Sequence, residues 1–267
     1  MRGERAVSST TPATYAMGID IGSATSKCVI MRSGGEIVAT AIYRGGAGTG
    51  GPDNAVQSAL DDAGLSIVDI GHIAATGYGR NTFRLAGKTY SELSCHASGA
   101  LYLCPGVRMV VDIGGQDSKA MKLTEDGRLD GFSMNDKCAS GTGRFLEVMA
   151  NVLEIELAVM GDFNADAEQV IEITSTCTVF AESEVISQLS KGADKQGLVA
   201  GIHRSVAVKA AGIAKRLGIA EPVFFSGGVS QNRGVVMALS REISADIITD
   251  PRGQLAGAIG AALLARG

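Results

Sequence analysis

One stretch of this chain occurs twice. GIDIGSATSKCVIM (18–31) and VVDIGGQDSKAMKL (110–123) each run an apolar segment into Asp-Ile-Gly, a polar turn, Ser-Lys and a second apolar segment. Aligned by eye, the two share Asp-Ile-Gly and Ser-Lys, the latter offset by one residue. A duplicated strand–turn–strand unit is a strong domain-boundary signal, so the chain reads as two lobes. Pro105 and Gly106 punctuate the sequence between the copies. That places a first lobe at 17–106 and a second at 107–267. Residues 1–16 lack an apolar stretch and read as a flexible extension rather than a signal peptide.

Periodicity fills in the lobes. Strand patterns occupy 17–23, 27–33, 34–44, 70–77 and 107–123, and VFFSGGVSQN (223–232) is a buried strand running into a glycine pair and then a helix. Helical spacing marks 55–65, 91–103, 141–155, 178–192, 199–218 and 254–265, the last a small-residue helix suited to packing back on the first lobe. Alternation of strands and helices predicts an α/β protein.

Composition removes several function classes. A net charge of −4, 4% aromatic residues and no Trp argue against a phosphate-backbone or base-stacking partner. No apolar run reaches the length of a membrane span. Five cysteines without framework spacing suggest a reducing cytoplasm.

Asp20 and Asp112 each end an apolar strand and precede glycine, a setting suited to a Mg²⁺ shell beside bare backbone N–H groups. Gly22, Ser23, Thr25, Ser26 and Lys27 surround the first turn as candidate phosphate contacts. Gly114, Gly115, Gln116, Asp117, Ser118 and Lys119 surround the second, with Asp112 and Gln116 the candidate catalytic pair. Gly227, Gly228 and Gln231 follow a strand and would let a base or ribose lie against the main chain. Gly141, Thr142 and Gly143 complete the candidate nucleotide contacts.

Cys138 in NDKCASGTGRFLEVMANVL and Cys177 in STCTVFAESEVISQLSKG each sit where a helical pattern begins. A thiolate at a helix N-terminus is stabilised by unpaired N–H groups, and such thiolates bind metals and iron–sulfur clusters. A 4Fe–4S cubane takes four cysteine ligands, and two chains related by a two-fold axis would supply them. Lys137 and Arg144 flank the first cysteine and could soften a cluster's charge. Cys28, Cys95 and Cys104 read as core or surface thiols. His72, His96 and His203 read as structural or exposed, and Glu147, Glu182 and Glu184 as solvated helix faces.

The order of motifs resembles the superfamily of actin, sugar kinases and heat-shock chaperones: GIDIGSATSK and VVDIGGQDSK are similar to its two phosphate motifs, VFFSGGVSQN to its adenosine motif. No P-loop sequence is present. Within that superfamily the two cysteine motifs and ATGYGR (75–80) resemble the activator component of 2-hydroxyacyl-CoA dehydratases and the related ATPase subunits of benzoyl-CoA reductases. The resemblance implies a two-lobed actin-like ATPase that binds ATP or ADP with Mg²⁺. It further implies a homodimer bridged by one 4Fe–4S cluster on Cys138 and Cys177, with ferredoxin or flavodoxin as electron donor and a dehydratase or reductase as acceptor. Two readings of other classes stay open at this point: a small-molecule kinase with Asp112 as base, and a filament-forming or nucleotide-sensing protein.

Overall fold

A computed structural model describes residues 15–163, 169–175 and 177–266. The sequence-read extension therefore lies outside the described residues except for Tyr15 and Ala16, which begin the first strand. In chain order the elements are β1 (Tyr15–Ile21), β2 (Thr25–Arg32), β3 (Ile37–Arg44), α1 (Gly51–Ala63), β4 (Ile70–Thr76), β5 (Lys88–Thr89) and α2 (Glu92–Leu103). The second half repeats the opening with β6 (Met109–Ile113), β7 (Ser118–Leu123) and β8 (Leu129–Asn135), followed by α3 (Gly143–Leu153), α4 (Leu157–Phe163), α5 (Thr178–Ser190) and α6 (Lys195–Arg216). It closes with β9 (Val223–Ser226), α7 (Arg233–Ile243), β10 (Ile247–Ile248) and α8 (Ala256–Ala265).

Two five-stranded sheets result, ordered β3-β2-β1-β4-β5 and β10-β9-β6-β7-β8. Each has an antiparallel three-strand meander, and in each the meander's first strand pairs in parallel with a later strand. The register removes the one-residue offset read by eye. Asp20 pairs with Lys27 and Asp112 with Lys119, at the same separation of 7 residues.

Central strands β1 and β6 are buried along nearly their whole length, so apolar side chains face both ways. Helix α1 covers one face of the first sheet through Ala55, Val56, Ala59 and Leu60 against Met17, Ile19 and Ile21. Helices α3, α6 and α7 bury Met109, Val111 and Ile113 on one face of the second. The two remaining faces are covered by an exchange: α2 packs on Val110, Met121 and Phe224 of the second sheet, while α8 packs on Val29 and Met31 of the first. Helix α2 starts at Ser91, whose hydroxyl accepts from the Ser94 N–H, and α6 starts at Asp194, whose carboxylate accepts from the Gly197 N–H.

The exchanged helices cross at contact distance because their facing positions carry no side chain. A Cβ on Gly260 would lie 1.8 Å from the Cys95 carbonyl oxygen. Gly260→Ala is therefore expected to destabilise the protein by about 3 kcal/mol through overpacking of helix backbone. Gly212→Ala, in α6 with nothing within 4 Å of the new methyl, should stabilise it by about 0.5–1 kcal/mol. Thermal unfolding of the two variants checks both signs.

Candidate functional site

The two Asp-Ile-Gly turns face one another. In the first, the Gly22 N–H donates to the Thr25 carbonyl at 3.0 Å, and in the second the Gly114 N–H donates to the Asp117 carbonyl at 2.9 Å. Their tips touch: a Cβ on Gly115 would sit 2.9 Å from the Ala24 methyl and 4.0 Å from the Ser23 hydroxyl. Gly77 of the ATGYGR stretch crosses above Asp20 with φ +82, and a Cβ there would lie 2.5 Å from Asp20 Oδ1. Only glycine meets both conditions.

Behind the second turn lies a buried charge cluster. Asp112 accepts from Ser226 Oγ at 2.7 Å and meets Lys119 Nζ at 3.1 Å and His96 Nδ1 at 3.2 Å. Lys119 also reaches Glu92 at 2.7 Å and Asp117 at 2.8 Å. Burial alone would raise the Asp112 pKa, but the His96 and Lys119 charges and the Ser226 hydroxyl outweigh it and hold the carboxyl well below its usual range. Burial likewise works against the Lys119 charge, and the three carboxylates overcome it. His96 is thus no isolated structural residue. It contacts Asp112, and Glu92 lies one helical turn away on the same α2 face at 3.8 Å from Nε2. That i,i+4 spacing was the available sequence signal. His203 is a neutral core histidine, its pKa pushed down by burial to about 4, and His72 is exposed.

The first turn is simpler, with Lys27 Nζ donating to Asp20 at 3.2 Å. Ser23, Ala24 and Gln116 are exposed at the turn tips, and Thr25 is half-buried. Ser26, Gly141 and Thr142 are buried and buttress loops instead of facing open space. The Ser26 hydroxyl donates to Gly45 at 2.8 Å, the Thr142 hydroxyl donates to Ala139 at 2.7 Å, and Gly141 packs on the Lys209 stem. Ser118 is buried with an unpartnered hydroxyl. Gly227 follows β9 and passes so near β6 that a Cβ would lie 2.3 Å from the Ile113 carbonyl oxygen, whereas Gly228 faces open space. Gln231 lines a cavity of about 220 Å³ with Arg233, Val236 and Asp250.

The cysteine segments follow. Cys177 is the N-cap residue of α5, as its sequence context predicts. Cys138 instead precedes a 3-10 turn at Ala139–Gly141, and α3 begins only at Gly143. Asn135 brackets it, donating from Nδ2 to the Cys138 carbonyl at 2.8 Å and accepting from the Cys138 N–H at 3.2 Å. Ser140 Oγ lies 2.9 Å from the Cys138 sulfur, and this contact, helped by the Lys209 charge, lowers the thiol pKa. Lys209 donates to the Ser140 carbonyl at 2.9 Å, and both Cys138 and Cys177 act on its charge. Lys137 and Arg144, which flank the same cysteine in sequence, pair with Asp136 at 2.7 Å and Glu147 at 3.0 Å. Cys138 and Cys177 are the exposed thiols, while Cys28, Cys95 and Cys104 are buried, with burial pushing Cys28 up to about 12 and Cys95 up to about 11.

Two backbone hydrogen bonds connect the cysteine segment to the second turn. Gly143 N–H donates to the Gly114 carbonyl at 2.8 Å, and Arg144 N–H donates to the Gly115 carbonyl at 2.9 Å. Between these parts lies a cavity of about 260 Å³, lined by Ser23 and Tyr78 on one side, Gln116 and Asp117 on another, and Lys137 and Arg144 on the third.

Compared with known proteins, residues 17–265 match the BadF/BadG/BcrA/BcrD ATPase family. The chain belongs to that family. The (R)-2-hydroxyglutaryl-CoA dehydratase activating ATPase of Acidaminococcus fermentans is 51% identical over 252 residues, covering 94% of this chain and 96% of that one. A benzoyl-CoA reductase component from Thauera aromatica is 33% identical, covering 94% and 92%. Among solved structures, the activator of the 2-hydroxyisocaproyl-CoA dehydratase from Clostridium difficile with bound ADPNP superposes with a TM-score of 0.93 at 48% identity, covering 95% and 94%. A ROK family glucokinase from Streptomyces griseus, at 16% identity and TM-score 0.58 over 94% and 98%, shares the fold alone. The family ATPase is thus built on the actin-like, sugar-kinase architecture that the duplicated turns led one to expect. Among the described residues no helix is long and apolar enough to cross a membrane.

Sequence reasoning also treated Glu184 as a solvated charge. Its carboxylate accepts from the Thr174 N–H at 3.0 Å, the Thr174 hydroxyl at 2.8 Å and the Ser175 N–H at 2.9 Å, tying down the approach to Cys177. Burial opposes the charge, but these donors lower its pKa from 4.5 to about 2. A lowered carboxyl pKa stabilises the fold above the ordinary value and loses that contribution as pH falls through the folded one. Glu184→Gln is therefore expected to cost about 1 kcal/mol at pH 7, after discounting for partial exposure. The melting difference from wild type should shrink as pH falls from 4.5 towards 2.

Proposed function

We propose that this ATPase is an electron-delivering activator. It takes an electron from ferredoxin or flavodoxin, works as a cytoplasmic homodimer sharing one 4Fe–4S cluster, and serves a 2-hydroxyacyl-CoA dehydratase. The observation that carries this reading is the pair of hydrogen bonds from Gly143 and Arg144 to Gly114 and Gly115, which ties an exposed cysteine turn to a phosphate-binding turn. The higher identity to dehydratase activators than to the benzoyl-CoA reductase component ranks the acceptor.

The donor set fits the cluster. Cys138 and Cys177 are exposed, the Cys138 thiol pKa is lowered, and one lysine interacts with both. Among the described residues no three metal-ligating side chains converge, so a second copy would complete the ligand set. Helix α5 leaves Val179, Phe180 and Ile186 exposed near Cys177, an apolar face suited to such a partner. When bound, the cluster would supply one-electron transfer.

On the nucleotide side, Ser23, Thr25 and the Gly115 backbone amide would meet the phosphates, while Gly22 and Gly114, whose N–H groups close the two turns, would shape them. Gly227, Gly228 and Gln231 would lie along the nucleoside. Asp20 and Asp112 would hold Mg²⁺ directly or through water, and Asp112, kept anionic by its buried partners, would orient the attacking water with Gln116. Loss of the terminal phosphate would relax the second turn. Its carbonyls would then carry that displacement into the start of α3 and the Cys138 turn.

Iron and sulfide analysis of anaerobically purified protein tests the reading, with about four iron atoms per dimer expected. Cys138→Ser or Cys177→Ser should remove them and Cys28→Ser should not. Absence of iron in wild type would favour a kinase of the same fold. Asp112→Asn should slow ATP hydrolysis on the order of 100-fold with iron content unchanged. Equal loss of iron and activity would assign Asp112 to the fold instead.

A further inference from the structure

We propose that Lys137 is a terminal-phosphate sensor, a positioning residue that registers the third phosphate of ATP at the Cys138 turn. The proposal rests on the nucleotide-site reading above and deepens it. The cavity of about 260 Å³ is where the two phosphate turns and the cysteine segment meet. The lysines of the turns themselves do not line the cavity, Lys27 being held by Asp20 at 3.2 Å and Lys119 by Asp112 at 3.1 Å. The cations on the cavity wall, Lys137 and Arg144, both come from the cysteine segment. Asp117 and Asp136 line the same cavity, so an anion reaching past the turn tips meets net positive charge from the cysteine segment only as Lys137 leaves its pair with Asp136.

Of the two, Lys137 is the one able to move. Arg144 is anchored by its backbone N–H on Gly115 and by its side chain on Glu147 at 3.0 Å. The Lys137 side chain is 86% exposed and pairs with its neighbour Asp136 at 2.7 Å. A surface pair of this kind contributes little, and an ammonium on a flexible stem binds phosphate as a point charge. Exchange of Asp136 for a phosphate oxygen would draw the Lys137 backbone toward the turns. The next residue is Cys138, whose N–H and carbonyl are both held by Asn135 and whose sulfur meets Ser140. A shift of Lys137 therefore reaches the sulfur through short, mutually bonded links. The two phosphates of ADP can be satisfied by turn amides, so the third distinguishes the states.

The test is titration calorimetry of wild type, Lys137→Met, Lys137→Arg and Asp136→Asn with Mg²⁺ and either ADP or a β,γ-imido ATP analogue, after thermal melts confirm folding. Lys137→Met should weaken the analogue about tenfold, or about 1.4 kcal/mol, with ADP affinity within about twofold. Lys137→Arg should restore discrimination, and Asp136→Asn, which frees the lysine from its competitor, should sharpen it. As a second readout, iodoacetamide should label Cys138 in cluster-free Cys177→Ser protein at rates that differ between analogue and ADP, and adding Lys137→Met should equalise them. Equal weakening of both nucleotides, or unchanged discrimination in Lys137→Met and Asp136→Asn, would overturn the sensor. Failure of wild type to bind either nucleotide would instead overturn the site reading, and the sensor with it.

Discussion

Everything near the second turn is arranged around one buried carboxylate. Asp112 is 2% exposed at the end of β6, and a charge buried there is tolerated only where partners replace its hydration. The partners come from three different elements: Lys119 from β7, His96 from α2 and Ser226 from β9. Removing one partner of a buried pair typically costs about 3–5 kcal/mol. The cluster therefore fixes where helix, hairpin and parallel strand meet. It also fixes Lys119, which at 2% exposure could not remain charged without Glu92 and Asp117 beside it.

The first turn has the same cross-strand Asp–Lys pair in a looser setting. Lys27 is 17% exposed, and among the described residues its carboxylate is Asp20 alone, with no second one corresponding to Glu92. The duplicated units thus diverged in stiffness while keeping their register. Helix α8 passes close to Asp20, where a Cβ on Gly257 would lie 3.0 Å from Oδ2 and 2.9 Å from His96 Nε2. The two carboxylate sites are consequently brought together by glycine at the helix, so movement between the lobes would change their separation.

The local parts of this arrangement were legible in the sequence. The Asp-Ile-Gly turns, the strands beside them and the cysteine segments repeat or carry their own periodicity, so the sheets and the opposed turns could be read directly. Contacts between residues far apart in sequence carried no such pattern. Lys209 meets Ser140 across 69 residues and Ser226 meets Asp112 across 114, and neither end announces the other. The seat of α2 on the second sheet was equally hidden, because nothing in its own pattern singles out that face. Glu184 looked solvated because its partners are backbone N–H groups, which every residue but proline possesses. Ser26 and Thr142 looked available for phosphate, but their hydroxyls were already spent on nearby carbonyls.

Stiffness on one side and freedom on the other is what a transmitting site requires. A displacement survives passage through a structure only if the links it crosses are shorter and better bonded than their surroundings. From the second turn to the sulfur of Cys138 the links are of that kind: two backbone hydrogen bonds, a 3-10 turn closed by the Thr142 hydroxyl, and the Ser140 contact. Lys209 holds the same turn at 2.9 Å, so the turn is anchored from more than one element. Cys138 is thus bonded through its segment to the second turn, whereas Cys177 follows a stretch whose Thr174 and Ser175 are held by Glu184. A ligand bridging both would experience their relative motion. Two cysteines on one continuous helix could not produce it.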